Sequence, residues 1–148
     1  MNLLYKNILS AFIVFLILIF SHHNSSYAEN KGATIYIIAG NSFVADSIYL
    51  SDARRIFKKE KTQINGKPVI PINAKTNSNL KKTFYSKLLD MTTADVASYW
   101  ETQKVKNGIQ PPMELSNTVK AVFSVKNSIS YCFAEEYKKG AAKILLKL

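Results

Sequence analysis

The chain has 148 residues, with 20 Lys and Arg against 10 Asp and Glu, a formal net charge of +10, two histidines and one cysteine. That length fits one compact domain and falls short of two full-sized ones, and a lone cysteine excludes an intramolecular disulfide. The positive balance attracts anions or anionic surfaces; because the lysines are scattered, they read mainly as a solvated face, and no nucleic-acid partner is expected.

Lys6 supplies a positive start, Ile8 to Phe20 is apolar apart from Ser10, and Ser26-Tyr27-Ala28 offers small residues for cleavage. This is the pattern of a secretory signal peptide, with the cut after Ala28. The apolar run is shorter than the roughly 20 residues a spanning helix needs. The expected organisation is therefore a signal at 1–28 and one domain at 29–148, monomeric and periplasmic or secreted.

Cleavage would remove His22 and His23, and with them Ser-His-Asp catalysis, Cys-His catalysis and histidine metal ligation. It would leave a net charge of about +9, since Lys6 is the only basic residue lost. No cofactor or metal and no enzymatic activity are expected. Glu135-Glu136 followed by Lys138-Lys139 reads as a solvated helical face, and Asp90 and Asp95 as helix-end residues.

Ala33 to Ala39 is a β-branched apolar run, the pattern of a buried strand, closed by a turn at Gly40-Asn41-Ser42. Ser51 or Asp52 is the expected N-cap of a helix carrying Ala53, Ile56 and Phe57 on one face and Arg54, Arg55, Lys58 and Lys59 on the other. Asn65-Gly66 signals a tight turn, and Val69 to Ile72 a strand that Pro68 and Pro71 make short or confine to an edge.

Lys75-Thr76-Asn77-Ser78-Asn79 is a polar loop leading into a helix with Leu80, Phe84, Leu88 and Met91 on its apolar face. A strand, a hydroxyl-rich loop and a helix start in succession can bind an anion, because the first helical N–H groups lack intrahelical partners. Thr92 to Asp95 forms a capping box for a helix carrying Val96, Tyr99 and Trp100. Trp100 is expected in the core. Gly108 and Pro111-Pro112 end that unit.

Ser116 or Asn117 is placed to cap a fourth helix with Val119, Val122 and Phe123, closed by Asn127. Ile129 to Phe133 alternates like a half-buried strand with Cys132 as a buried, inert thiol. Ala141 to Leu148 adds a last strand or helix. Alternating strands and helices predict an α/β fold, a small sheet flanked by helices.

Leu50-Ser51 leading to Arg55-Ile56-Phe57, then Asn65-Gly66-Lys67-Pro68-Val69-Ile70-Pro71-Ile72, Phe84-Tyr85 with Leu88-Leu89, Tyr99-Trp100, and Gly108 with Pro111-Pro112 form an ordered set. It resembles the short, single-domain relatives of phosphate ABC-transporter substrate-binding proteins, from about Thr34 to Phe133. The resemblance implies a type 2 periplasmic binding protein-like fold, reduced in size. It also implies capture of a small oxyanion, most plausibly phosphate, for an ABC-type uptake system with an inner-membrane transporter or envelope protein as partner. By position, the ligand-binding residues would be Asn41 and Ser42 after the first strand, and Thr76, Asn77 and Ser78 at the helix start, with Lys75 adding a charge. The Ser-Gly-Thr element of relatives is not intact here, and Ser128-Ile129-Ser130-Tyr131 stands where they carry Gly-Ile-Gly-Tyr. Those departures support an alternative: the fold kept as an envelope interaction or sensory module without a small ligand.

Overall fold

A computed structural model describes residues 33–148; the expected signal peptide and its cleavage point lie outside them. The first strand, β1, runs Ile35–Ala39. It is followed by α1 (Leu50–Phe57), β2 (Gln63–Ile64), β3 (Lys67–Pro68) and β4 (Ile70–Ala74). Next come α2 (Asn79–Phe84), a π-helical turn (Tyr85–Leu89), α3 (Thr93–Asn107) and β5 (Met113–Leu115). The chain closes with α4 (Thr118–Ser124), β6 (Ser128–Phe133), a 3₁₀ turn (Ala134–Glu136) and β7 (Lys143–Lys147).

Five strands form one sheet in the order β5-β4-β6-β1-β7. Strand β4 is parallel to both β5 and β6, whereas β1 is antiparallel to β6 and to β7. Four strands therefore share a direction and β1 opposes them.

The sheet is covered on both faces. One face packs Ile35, Ile37, Tyr131 and Ile129 against Ala53, Ile56, Phe57, Phe84, Leu88, Val96 and Trp100 from α1 to α3. The other packs Ile38 and Cys132 against Val122 of α4 and Ala142. At the centre the Phe84 ring stacks on Tyr131 at 3.5 Å between centroids and an interplanar angle of 5°, with Phe57 edge-on to both.

Three expectations need correction. Helix α1 starts at Leu50, and its N-cap is Tyr49 with no side-chain cap bond; Ser51 and Asp52 lie inside the first turn, where Asp52 pairs with Lys61 at 2.7 Å. The strand containing Pro71 is short, at five residues, as one arm of the expectation had it, but it lies between β5 and β6 rather than at an edge. It tolerates proline because the Ile70 N–H bonds Asn127 O on the β6 side, so the next nitrogen faces β5, whose register begins only at Ile72. Strand β6 is buried at all six positions, because helices cover both faces of the sheet there.

The turn chemistry follows the sequence closely. Asn65 and Gly66 adopt positive φ between β2 and β3, the two-residue hairpin geometry. Thr92 and Asp95 make the reciprocal capping box of α3, and Gly108 ends that helix in the left-handed region. Residues 143–147 form a strand. Cys132 is fully buried, and burial, with Glu136 nearby, pushes its thiol up to about 11.

Candidate functional site

The parallel strands β4, β5 and β6 all point their carboxyl ends to one end of the sheet. The chain leaves β4, forms β5 on one side, then crosses to β6 on the other. In open α/β sheets such a reversal leaves a crevice beyond the strand ends, where ligands bind.

Two pockets occupy that end, one on each side of the loop that follows β4. The larger, of about 530 Å³, is lined by Lys75, Ser78, Ser116, Asn117, Lys120 and Lys138 among others. Its three lysines are exposed and face one carboxylate, Glu136, so the lining carries a positive excess. The smaller, of about 250 Å³, includes Thr76, Asn77, Lys81, Tyr85, Trp100 and Glu114.

The loop between the pockets is held from below. Tyr131 Oη accepts the Ala74 N–H at 3.0 Å, and Asn73 Nδ2 donates to Tyr85 Oη at 3.1 Å. Desolvation pushes both phenols above their ordinary range, so they stay neutral and act as hydrogen-bonding struts.

The expected ligand residues fall into groups that the fold keeps apart. Asn41 and Ser42 follow β1, whose Ala39 stands opposite Ile129 near the start of β6. They line another pocket, of about 460 Å³, with Phe123, Lys126 and Asn127. Lys75 to Ser78 lie beyond the far end of β4, about 16 Å away along five residues of strand. The antiparallel direction of β1 is the reason: its carboxyl end meets the amino ends of β4 and β6.

Within the second group the four residues also divide. Lys75 and Ser78 face the larger pocket, Thr76 and Asn77 the smaller. Ser78 Oγ accepts the Lys81 N–H at 3.2 Å as the N-cap of α2, and Asn77 sits at φ 63° in the left-handed region, which asparagine tolerates. Thr76 donates through its N–H, at 2.9 Å, and through its hydroxyl to the Glu114 carboxylate. Helix α4 is capped likewise, Asn117 Oδ1 accepting the Lys120 N–H at 2.8 Å.

Ser130 lies outside these pockets. It is fully buried and donates to Ile72 O at 2.9 Å, so the hydroxyl ties β6 to β4 inside the sheet. The residues that sequence reasoning missed are Ser116, Lys120, Lys138, Lys81 and Glu114. Ser116 and Lys120 follow β5 and Lys138 follows β6, both parallel to β4, while Lys81 lies in α2 and Glu114 within β5; only the topology brings them to one end of the sheet. Among the described residues no group of three or more His, Cys, Asp and Glu could hold a metal ion, and no helix is long and apolar enough to cross a membrane.

No family model and no curated protein matches the sequence. Solved structures do match the fold. An ABC-type phosphate transport receptor from Vibrio cholerae aligns with a TM-score of 0.59 at 11% identity, over 76% of this chain and 45% of that one. The fold is periplasmic binding protein-like. A putative phosphate ABC transporter substrate-binding protein with bound phosphate from Clostridium perfringens aligns at 0.55 and 12%, over 76% and 44%. PstS from Borrelia burgdorferi aligns at 0.52 and 15%, over 69% and 41%. The chain thus spans less than half the length of the binding proteins it resembles.

Proposed function

We propose that the chain is a non-enzymatic, periplasmic or secreted binding module that takes a small oxyanion, phosphate first among them, at the carboxyl end of its sheet. In this reading it acts as a monomer and passes the ion to a membrane transporter or envelope partner. One observation carries the proposal: the larger pocket brings Lys75, Lys120 and Lys138 together with Ser116, where this class of sheet offers its ligand crevice. Similarity to phosphate-binding proteins of the same fold supports it.

A pocket bounded by one sheet end leaves the ion partly hydrated, so binding is weak. The lysines supply charge attraction, and the hydroxyl adds a directional bond. Isothermal titration of the 29–148 chain with phosphate and with sulfate is the test. We expect saturable heat at millimolar ligand, reduced at least tenfold in affinity by Lys120→Ala with Lys138→Ala. Absence of heat from a folded protein would end this reading.

A second reading, an envelope interaction or sensory module without a small ligand, draws support from the way polar side chains near the loop already serve structural hydrogen bonds. Ser78 and Asn117 cap their own helices, and Thr76 is held by Glu114. Under it the titration is silent, and Thr76→Ala with Ser78→Ala leaves function intact.

A further inference from the structure

The smaller pocket is built around a carboxylate held by two residues of the β4 loop and α2. Glu114 is the middle residue of β5, opposite Asn73 in the register. Its carboxylate receives the Thr76 N–H, the Thr76 hydroxyl and the Lys81 ammonium. Lys81 is 8% exposed, and its ammonium also lies 5.6 Å from the centre of the Tyr85 ring. A lysine so largely buried is favoured by an anion beside it.

A peptide N–H, a hydroxyl and the ammonium of a largely buried lysine converging on one pair of oxygens make up the donor set of an oxyanion receptor. Here those oxygens belong to the protein. The Glu114 side chain is 36% exposed, and the pocket above it admits solvent beside Asn77, Lys82 and Glu101. Strand β5 is three residues long, exposed at each, and among the described residues it borders the sheet beside β4. A short edge strand gives way more readily than the buried strands within.

We propose that Thr76 and Lys81 form an oxyanion site whose resident occupant is the tethered carboxylate of Glu114, and that a free oxyanion of the phosphate or sulfate class enters by displacing it. The tether sets a threshold. While Glu114 is seated in more than about nine-tenths of molecules, the apparent affinity for the free ion falls by about tenfold or more. The site therefore stays closed to dilute anions and answers only to concentrated ones or to a partner that pulls β5 away. The opposing carboxylate Glu101 lines the same pocket, which favours an ion small enough to keep to the Lys81 side.

The test uses inorganic phosphate on wild type, Glu114→Ala, Glu114→Gln and Glu114→Ala with Lys81→Met. Titration and thermal melts are run at ionic strength matched with chloride. Glu114→Ala leaves the Lys81 charge unpaired, so its melting temperature falls and phosphate restores it in a saturable way. Both single variants bind phosphate at least about tenfold more tightly than wild type, and the double variant loses the gain. In a background of Lys120→Ala with Lys138→Ala, which lacks the larger pocket's binding, Glu114→Gln still binds phosphate more tightly than that background alone, which separates this site from the larger pocket. If Glu114→Gln is folded and neither its affinity nor its melting temperature responds to phosphate beyond the chloride control, Glu114 is a strut of β5 and the proposal is overturned. A gain that survives Lys81→Met overturns it equally.

Discussion

At the end of the sheet where β1 leaves it, Gly40, Asn41 and Ser42 turn close under α4, and a Cβ on Gly40 would stand 2.7 Å from the Val122 carbonyl oxygen. At the opposite end, Lys75 to Ser78 leave β4 into a space bordered by three lysines, two capped helix starts and a carboxylate from the edge strand. Both turns are short, polar and rich in Asn and Ser. The first is fixed by backbone packing, the second by hydrogen bonds to side chains. Residue type alone therefore does not tell the two turns apart; strand direction decides which end of the sheet each one reaches.

The sharpest way to break the contrast is to loosen the element that both ends share. Phe84 is fully buried between Tyr131 and Phe57, and Tyr131 holds the Ala74 N–H that starts the loop. Phe84→Ala is expected to cost about 3–5 kcal/mol, read as a lower urea midpoint. The loop after β4 should gain hydrogen exchange before the turn after β1 does, since only the former hangs on the Tyr131 phenol. Equal loosening at both ends would show that the stack supports the sheet as a whole.

Much of the frame was legible in the sequence because its signals are local. The Asn65-Gly66 hairpin, the Thr92–Asp95 capping box, the Gly108 stop and the buried run of β1 each depend on residues within a few positions of one another. The core faces of α1 to α3 follow from helical spacing for the same reason. The central position of β4 was not legible, because Pro71 argues for an edge unless the β5 register is known. The site was legible only in part. Lys75 and Ser78 do reach the larger pocket, yet Lys120 and Lys138 join them from elements some 40 and 60 residues downstream. Between Met113 and Leu115 nothing local marks Glu114; strand pairing alone carries it to Thr76 and Lys81.

A smaller effect probes the packed end by itself. Gly40→Ala forces the new methyl against the Val122 carbonyl, a backbone group that moves only if α4 shifts. The expected cost is about 1–3 kcal/mol, measured by thermal or urea unfolding. Any phosphate response should persist in the folded fraction, because the lysine-lined pocket is at the other end. A response lost together with stability would mean that α4 transmits strain from its Val122 end to the Asn117 cap.

The smallest expected effect makes the strictest test of the division between the ends. Asn41 and Ser42 are exposed, and the nearest basic side chain lining their pocket is the exposed Lys126. Asn41→Ala with Ser42→Ala removes hydroxyl and amide groups on which no packing depends. Stability should change by less than about 0.5 kcal/mol, and oxyanion affinity should remain within twofold of wild type. The physical ground is distance: about 16 Å of strand separates these side chains from the loop after β4, beyond the roughly 8–10 Å over which exposed charges and dipoles act in physiological salt. An affinity loss of tenfold or more in this pair would require one ion to be held by two chains, with the β1 turn of one molecule meeting the β4 loop of another. The contrast would then become a complementarity between copies, and the affinity would depend on protein concentration.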